Sequence, residues 1–95
     1  MNRKEVSMPV WGKSVKLSDR QLRIMRYVQT YQEERGMPTT YAEIGEALSL
    51  VKSQVWKEVQ RLKALRLLTW EEGRARTLKI TEAGEAYLEG QNEPA

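Results

Sequence analysis

The stretch TYAEIGEALSLVKSQVWKEVQRLKAL, residues 40–65, carries two helical patterns separated by Ser49-Leu50-Val51. Thr40 followed by Glu43 is a capping box, in which each side chain satisfies a backbone N–H left free at a helix start. Behind it Tyr41, Ile44, Ala47 and Leu48 recur at helical spacing, so a short helix is expected to stop near Leu48. Gly45 costs stability inside a helix, which predicts a second helix crossing closely there. After the turn the pattern resumes from Lys52 to Leu65. At about 100° per residue, Val55, Val59, Leu62 and Leu65 line one side, and Ser53, Trp56, Lys57, Gln60 and Ala64 the other. Trp56 falls on the polar face, where a helix with only a core role has no use for it. Two helices joined by a tight turn form a helix-turn-helix unit.

Upstream, Ser18 with Gln21 makes another capping box, and Leu17 and Leu22 are spaced for a hydrophobic staple. Ile24, Met25, Tyr27, Val28 and Tyr31 fall on one stripe of a longer helix. Gly36 ends it and Pro38 prevents its continuation. Downstream the period changes. Leu67-Leu68-Thr69-Trp70 and Arg76-Thr77-Leu78-Lys79-Ile80 read as strands of a hairpin turned at Gly73, with Leu78 and Ile80 inward. Thr81 then caps a last helix, Glu82 to about Glu89, acidic in its first turn where the helix dipole favours it. The order predicts a mainly α fold with a β-hairpin wing: a winged helix-turn-helix with a three-helix core, a hairpin and a C-terminal helix. Residues 1–16, aperiodic and containing Pro9 and Gly12, read as a basic N-terminal arm, residues 17–90 as the domain and residues 91–95 as a frayed tail.

Ninety-five residues hold one small core. The sequence has no Cys and no His. Serine–histidine and cysteine–histidine catalysis, disulfides and the commonest metal ligands are therefore excluded from it. No enzyme activity, cofactor or metal is expected. No apolar run approaches the ~20 residues that span a bilayer. Met1-Asn2-Arg3-Lys4-Glu5 leads into no apolar signal core, so a cytoplasmic place is expected. The net charge of +3 is unevenly spread. Residues 52–80 hold eight Lys and Arg against three Glu, whereas residues 81–95 hold four Glu and no base. A cationic stretch of that kind points to phosphates, with an ordinary solvated face as the alternative.

Three segments carry a family resemblance. Leu17-Ser18-Asp19-Arg20-Gln21 with Ile24, then Gly36-Met37-Pro38-Thr39-Thr40-Tyr41-Ala42-Glu43-Ile44, then Leu48-Ser49-Leu50 resemble the DNA-binding domain of LexA-type SOS repressors. That family typically reads Leu-Thr-x-Arg-Gln, Gly-x-Pro-Pro-Thr-x-x-Glu-Ile and Leu-Gly-Leu. Val55, Val59 and Leu62 resemble its third helix, and Arg76 with Leu78 and Ile80 its wing strand. Thr81-Glu82-Ala83-Gly84 with Tyr87-Leu88 is similar instead to the helix after the wing in MarR-type regulators. Ser49 stands where the family has the turn glycine, and Arg66 where winged helices often have a capping glycine. Both are expected in the left-handed region, at a cost of order 1 kcal/mol each. LexA proteins continue into a self-cleaving serine–lysine peptidase domain, which also dimerises them. This sequence ends before such a domain, so neither property is expected of it. The resemblance implies a transcriptional regulator or repressor of a bacterial or phage-infected cell, associated with the nucleoid.

On that fold, helix 52–65 is expected to read the major groove of double-stranded DNA, and wing 67–80 to touch the backbone or minor groove. Lys57 and Gln60 are candidate base readers, Lys toward guanine and Gln toward adenine. Trp56 suits a thymine methyl or a deoxyribose, with the arm or a partner subunit as the alternative contact. Lys52, Arg61 and Lys63 are candidate phosphate contacts, and Ser53 either meets a phosphate or caps. Gln54, in the same first turn, joins the set. Arg74 and Arg76 suit phosphate or the minor groove, with pairing to Glu71 or Glu72 as the alternative. Glu33-Glu34 reads as solvated surface. Ala83, Ala86, Tyr87 and Leu88 either form a weak or DNA-induced dimer or close the domain's own core. A second function class is a protein-interaction module docking on RNA polymerase or another regulator.

Overall fold

A computed structural model describes residues 16–92. Helix α1 spans Asp19–Arg35, α2 spans Tyr41–Leu48 and α3 spans Lys52–Ala64. Strands β1 (Leu68–Thr69) and β2 (Lys79–Ile80) follow, then α4 (Glu82–Asn92). The winged helix-turn-helix order is the one the sequence predicts. The expected arm lies outside the described residues except for Lys16.

Local chemistry sets the helix ends. Ser18 and Gln21 exchange their capping bonds at 3.1 and 3.0 Å, and so do Thr40 and Glu43. Gly36 closes α1 in the left-handed region at φ 71°. Ser49 and Arg66 adopt the left-handed backbone expected of them, at φ 60° and 64°. Without a glycine at either place the chain still turns, and each residue carries strain of order 1 kcal/mol.

Ile24, Met25 and Val28 of α1, Ile44 of α2, and Val55, Val59 and Leu62 of α3 are fully buried and form the core. Gly45 is explained differently from the expectation. A Cβ there would stand 2.7 Å from the Leu50 carbonyl and 3.5 Å from Val55 Cγ2. The close neighbour is the backbone of the turn, whose Leu50 N–H donates to the Gly45 carbonyl at 2.8 Å, and the following helix comes second.

The strands are shorter than expected. They pair antiparallel over only Leu68 with Ile80 and Thr69 with Lys79. Beyond Thr69 a side chain replaces the ladder: Thr77 Oγ1 accepts the Glu71 N–H at 2.9 Å and donates to the Arg74 carbonyl at 3.2 Å. Leu78 is buried, as predicted, and Ile80 is half-buried against the core.

Helix α4 runs past its expected end near Glu89 to Asn92. Thr81 caps it, its hydroxyl accepting the Gly84 N–H at 3.0 Å and donating to the Arg66 carbonyl at 2.7 Å. A Cβ on Gly84 would collide with the Leu67 carbonyl and stand 2.7 Å from Ile80 Cγ1. The Thr81-Glu82-Ala83-Gly84 segment therefore welds α4 to the base of the wing. Tyr87 and Leu88 are buried in the common core, and the Tyr87 hydroxyl accepts the Leu17 N–H at 3.2 Å. Tyr87 and Leu88 thus close the domain's own core, one of the two alternatives for this stripe.

Candidate nucleic-acid interface

The face of α3 opposite Val55, Val59 and Leu62 points outward. Lys52, Ser53, Trp56, Lys57 and Arg61 are exposed there, and Gln60 is half-buried. Lys52, Lys57 and Arg61 have no ion-pair partner among the described residues. Trp56 is 52% exposed, one of three exposed large apolar side chains among the described residues.

The start of α3 departs from the pattern of the other helices. The first turns of α1, α2 and α4 carry Asp19, Glu43, and Glu82 with Glu85, respectively, whereas that of α3 carries no acid and begins with Lys52. Its N-cap is Val51, which forms no side-chain cap and is 62% exposed. Gln54 partly compensates, its Oε1 accepting the Val51 N–H at 3.1 Å. The positive end of the helix dipole is thus left without a local anion, next to a lysine.

Two grooves flank α3. One runs between α3 and the start of α1, lined by Lys16, Arg20, Lys57, Gln60 and Arg61 among others. Glu58 lies in it, accepting a hydrogen bond from Gln21 Nε2 at 2.9 Å and standing 3.6 Å from Arg20 Nη1. The other runs between α3, the start of α2 and the wing, lined by Thr40, Tyr41, Trp56, Gln60, Trp70 and Arg74 among others. Gln60 borders both. Lys16 and Arg20 escaped the sequence reading because nothing along the chain signals that α1 begins beside the outer face of α3.

Several expected contacts turn out to be engaged within the protein. Lys63 stands 4.0 Å from the Trp70 ring centre and 3.4 Å from Glu72 Oε2. Trp70 Nε1 donates to the same carboxylate at 3.2 Å, and the ring meets Tyr41 edge-on at 6.3 Å between centroids. Arg74 pairs with Glu71 at 3.3 Å, the alternative foreseen for it. Arg76 pairs with neither Glu71 nor Glu72. It sits at φ 56°, and its guanidinium reaches α2, donating to Glu43 Oε2 at 2.8 Å, to Glu43 Oε1 at 3.3 Å and to the Pro38 carbonyl at 2.9 Å. In this chain Arg76 makes an internal fork, because Glu43 offers two carboxylate oxygens within its reach. That fork, with hydrogen bonds from Thr39 and Tyr31, holds the Glu43 carboxyl well below its ordinary range, at about 2.

The family model of the LexA DNA binding domain matches residues 14–77. The chain belongs to the LexA DNA-binding domain family. The LexA repressor of Oenococcus oeni is 39% identical over 66 residues, covering 68% of this chain and 31% of that protein. The chain therefore spans about a third of the length of that relative. Among solved structures, the MarR repressor of Listeria monocytogenes aligns with a TM-score of 0.67 at 20% identity, over 82% of this chain and 51% of that one. A MarR family regulator of Neisseria meningitidis aligns with a TM-score of 0.61 at 27% identity, over 85% and 56% of the two chains. The match to the LexA family covers α1, α2, α3 and the wing as far as Thr77, and α4 lies beyond it. Among the described residues no helix is long and apolar enough to cross a membrane.

Proposed function

We propose that the protein is a sequence-specific double-stranded DNA-binding transcriptional repressor, acting in the cytoplasm of a bacterial or phage-infected cell by occupying operator DNA. The observation that carries this reading is the start of α3. Val51 leaves the cap without a side-chain bond, the first turn has no acid, and Lys52 stands at the positive end of the dipole. Each choice costs helix stability, and together they suit one ligand class, a polyanion. Family membership and the shared fold agree with duplex DNA as that polyanion. In this reading Lys57 and Gln60 face base edges, Lys52, Ser53 and Arg61 meet phosphates, and the wing lies on the flanking backbone or minor groove. Arg74 takes part once it exchanges Glu71 for a phosphate.

The test is a titration of labelled duplex DNA at increasing salt. Log K is expected to fall linearly with log salt, by ~0.9 for each phosphate neutralised. An affinity indifferent to salt contradicts the reading. The exposure of Trp56 favours a second reading, a surface that docks on RNA polymerase or another regulator. It predicts that Trp56→Ala abolishes protein capture while leaving DNA affinity intact.

A further inference from the structure

Three parts of the chain converge on one carboxylate. Glu43 is the third residue of α2 and closes its capping box, accepting the Thr40 N–H at 3.0 Å. Its Oε1 also accepts from the Thr39 hydroxyl at 3.0 Å, and its Oε2 from the Tyr31 hydroxyl at 3.1 Å near the end of α1. The Arg76 fork then brings in the wing, and the same guanidinium holds the Pro38 carbonyl of the α1–α2 linker. Thr39 is itself buried, so the anchor is rigid on the side away from the wing.

The position of this junction is what gives it consequence. The wing residues from Glu71 to Leu78 and the start of α2 line the same groove as Trp56 and Gln60. Trp70 holds the root of the wing, through Tyr41 and Lys63. The two-residue ladder pairs only Leu68–Thr69 with Lys79–Ile80, and among the described residues Arg76 makes the hydrogen bonds that tie the wing tip, residues 73–77, to the helices. An arginine whose forked donors are matched to a carboxylate and a carbonyl gains geometry as well as energy. Breaking the match leaves a capped helix and an intact core, with the wing held through Trp70, Glu72 and the buried Leu78 but its tip untied.

We infer that Arg76 is a positioning residue: through Glu43 it fixes the distance and angle between the wing and α3, and so sets the width of the groove that receives the DNA backbone. The DNA half of this inference rests on the function proposed above, and the wing half does not.

Glu43→Gln and Arg76→Lys separate this role from the alternatives. Gln is competent in a capping box, as Gln21 already shows in α1, and Lys keeps the charge but lacks the fork. Both are first checked for a cooperative thermal transition. In the free protein, NMR order parameters of the amides of residues 74–77 are expected to fall in both variants, while those of α3 stay unchanged. On a labelled random-sequence duplex, both variants are expected to bind more weakly, by roughly three- to tenfold, and this loss should shrink when Arg74→Ala has already removed a wing cation. Unchanged wing order overturns the positioning role. So does tighter binding by Glu43→Gln, because a freed Arg76 would then be acting as a direct phosphate contact. If wild type binds no duplex DNA the proposed function falls, and the order parameters still decide whether the clamp positions the wing.

Discussion

Glu43 shows what a single residue position reveals in sequence and what it conceals. Its capping role was legible, because Thr40 and Glu43 are three apart and that spacing is local. Its bond to Arg76 spans thirty-three positions and has no local signal; the resemblance marked Arg76 as belonging to the wing without giving it a partner. The pairing has a consequence in acid. The folded carboxyl titrates at about 2 against an ordinary 4.5, so the folded state holds fewer protons than the unfolded chain in that interval. Its stabilisation is complete above 4.5 and is lost as pH falls toward 2. Thermal midpoints of wild type and Glu43→Gln are expected to differ most above pH 4.5 and to converge below it. A gap that stays constant down to pH 2 contradicts this. Ser49 and Arg66 are the opposite case, since the family resemblance marks a missing glycine at each, and the left-handed backbone follows from it.

Helices, as elements, are legible in the sequence because capping boxes, glycine stops and apolar stripes are short-range. Apolar alternation predicts longer strands than the chain forms, because it does not reveal that Thr77 ends the ladder by side-chain hydrogen bonding. Gln54 bonds back to Val51 at local capping spacing, whereas Trp70 reaches Lys63 only in the folded chain. The start of α3 is where element stability and function are expected to part. Val51→Asp supplies a side-chain cap and an anion at the dipole's positive end. It should stabilise the fold by about 0.5–2 kcal/mol and at the same time weaken duplex binding. Chemical denaturation and a DNA titration on the same sample check both signs. A variant that is more stable and binds as tightly as wild type would show that the α3 start does not approach phosphate.

On the scale of the whole molecule, the three-helix core, wing and closing helix were all legible, and assembly was not. Tyr87 and Leu88, half of the stripe considered for dimerisation, are buried in the chain's own core, which leaves α4 little apolar surface for a partner. The domain is accordingly expected to sediment as a monomer or weak dimer, and to pair on DNA at two half-sites about one helical turn apart. A tight dimer without DNA contradicts the first expectation, and a one-to-one complex on a palindromic duplex contradicts the second.

Selection of bound sequences from a random duplex pool bears most directly on the central claim, that the outer face of α3 reads DNA. Wild type is expected to enrich a defined motif. Lys57→Ala and Gln60→Ala should each lose preference at particular positions of it, by ~1–3 kcal/mol per lost base contact, while retaining salt-dependent affinity for random duplex. No enrichment by wild type, or a motif that both variants select unchanged, contradicts the account.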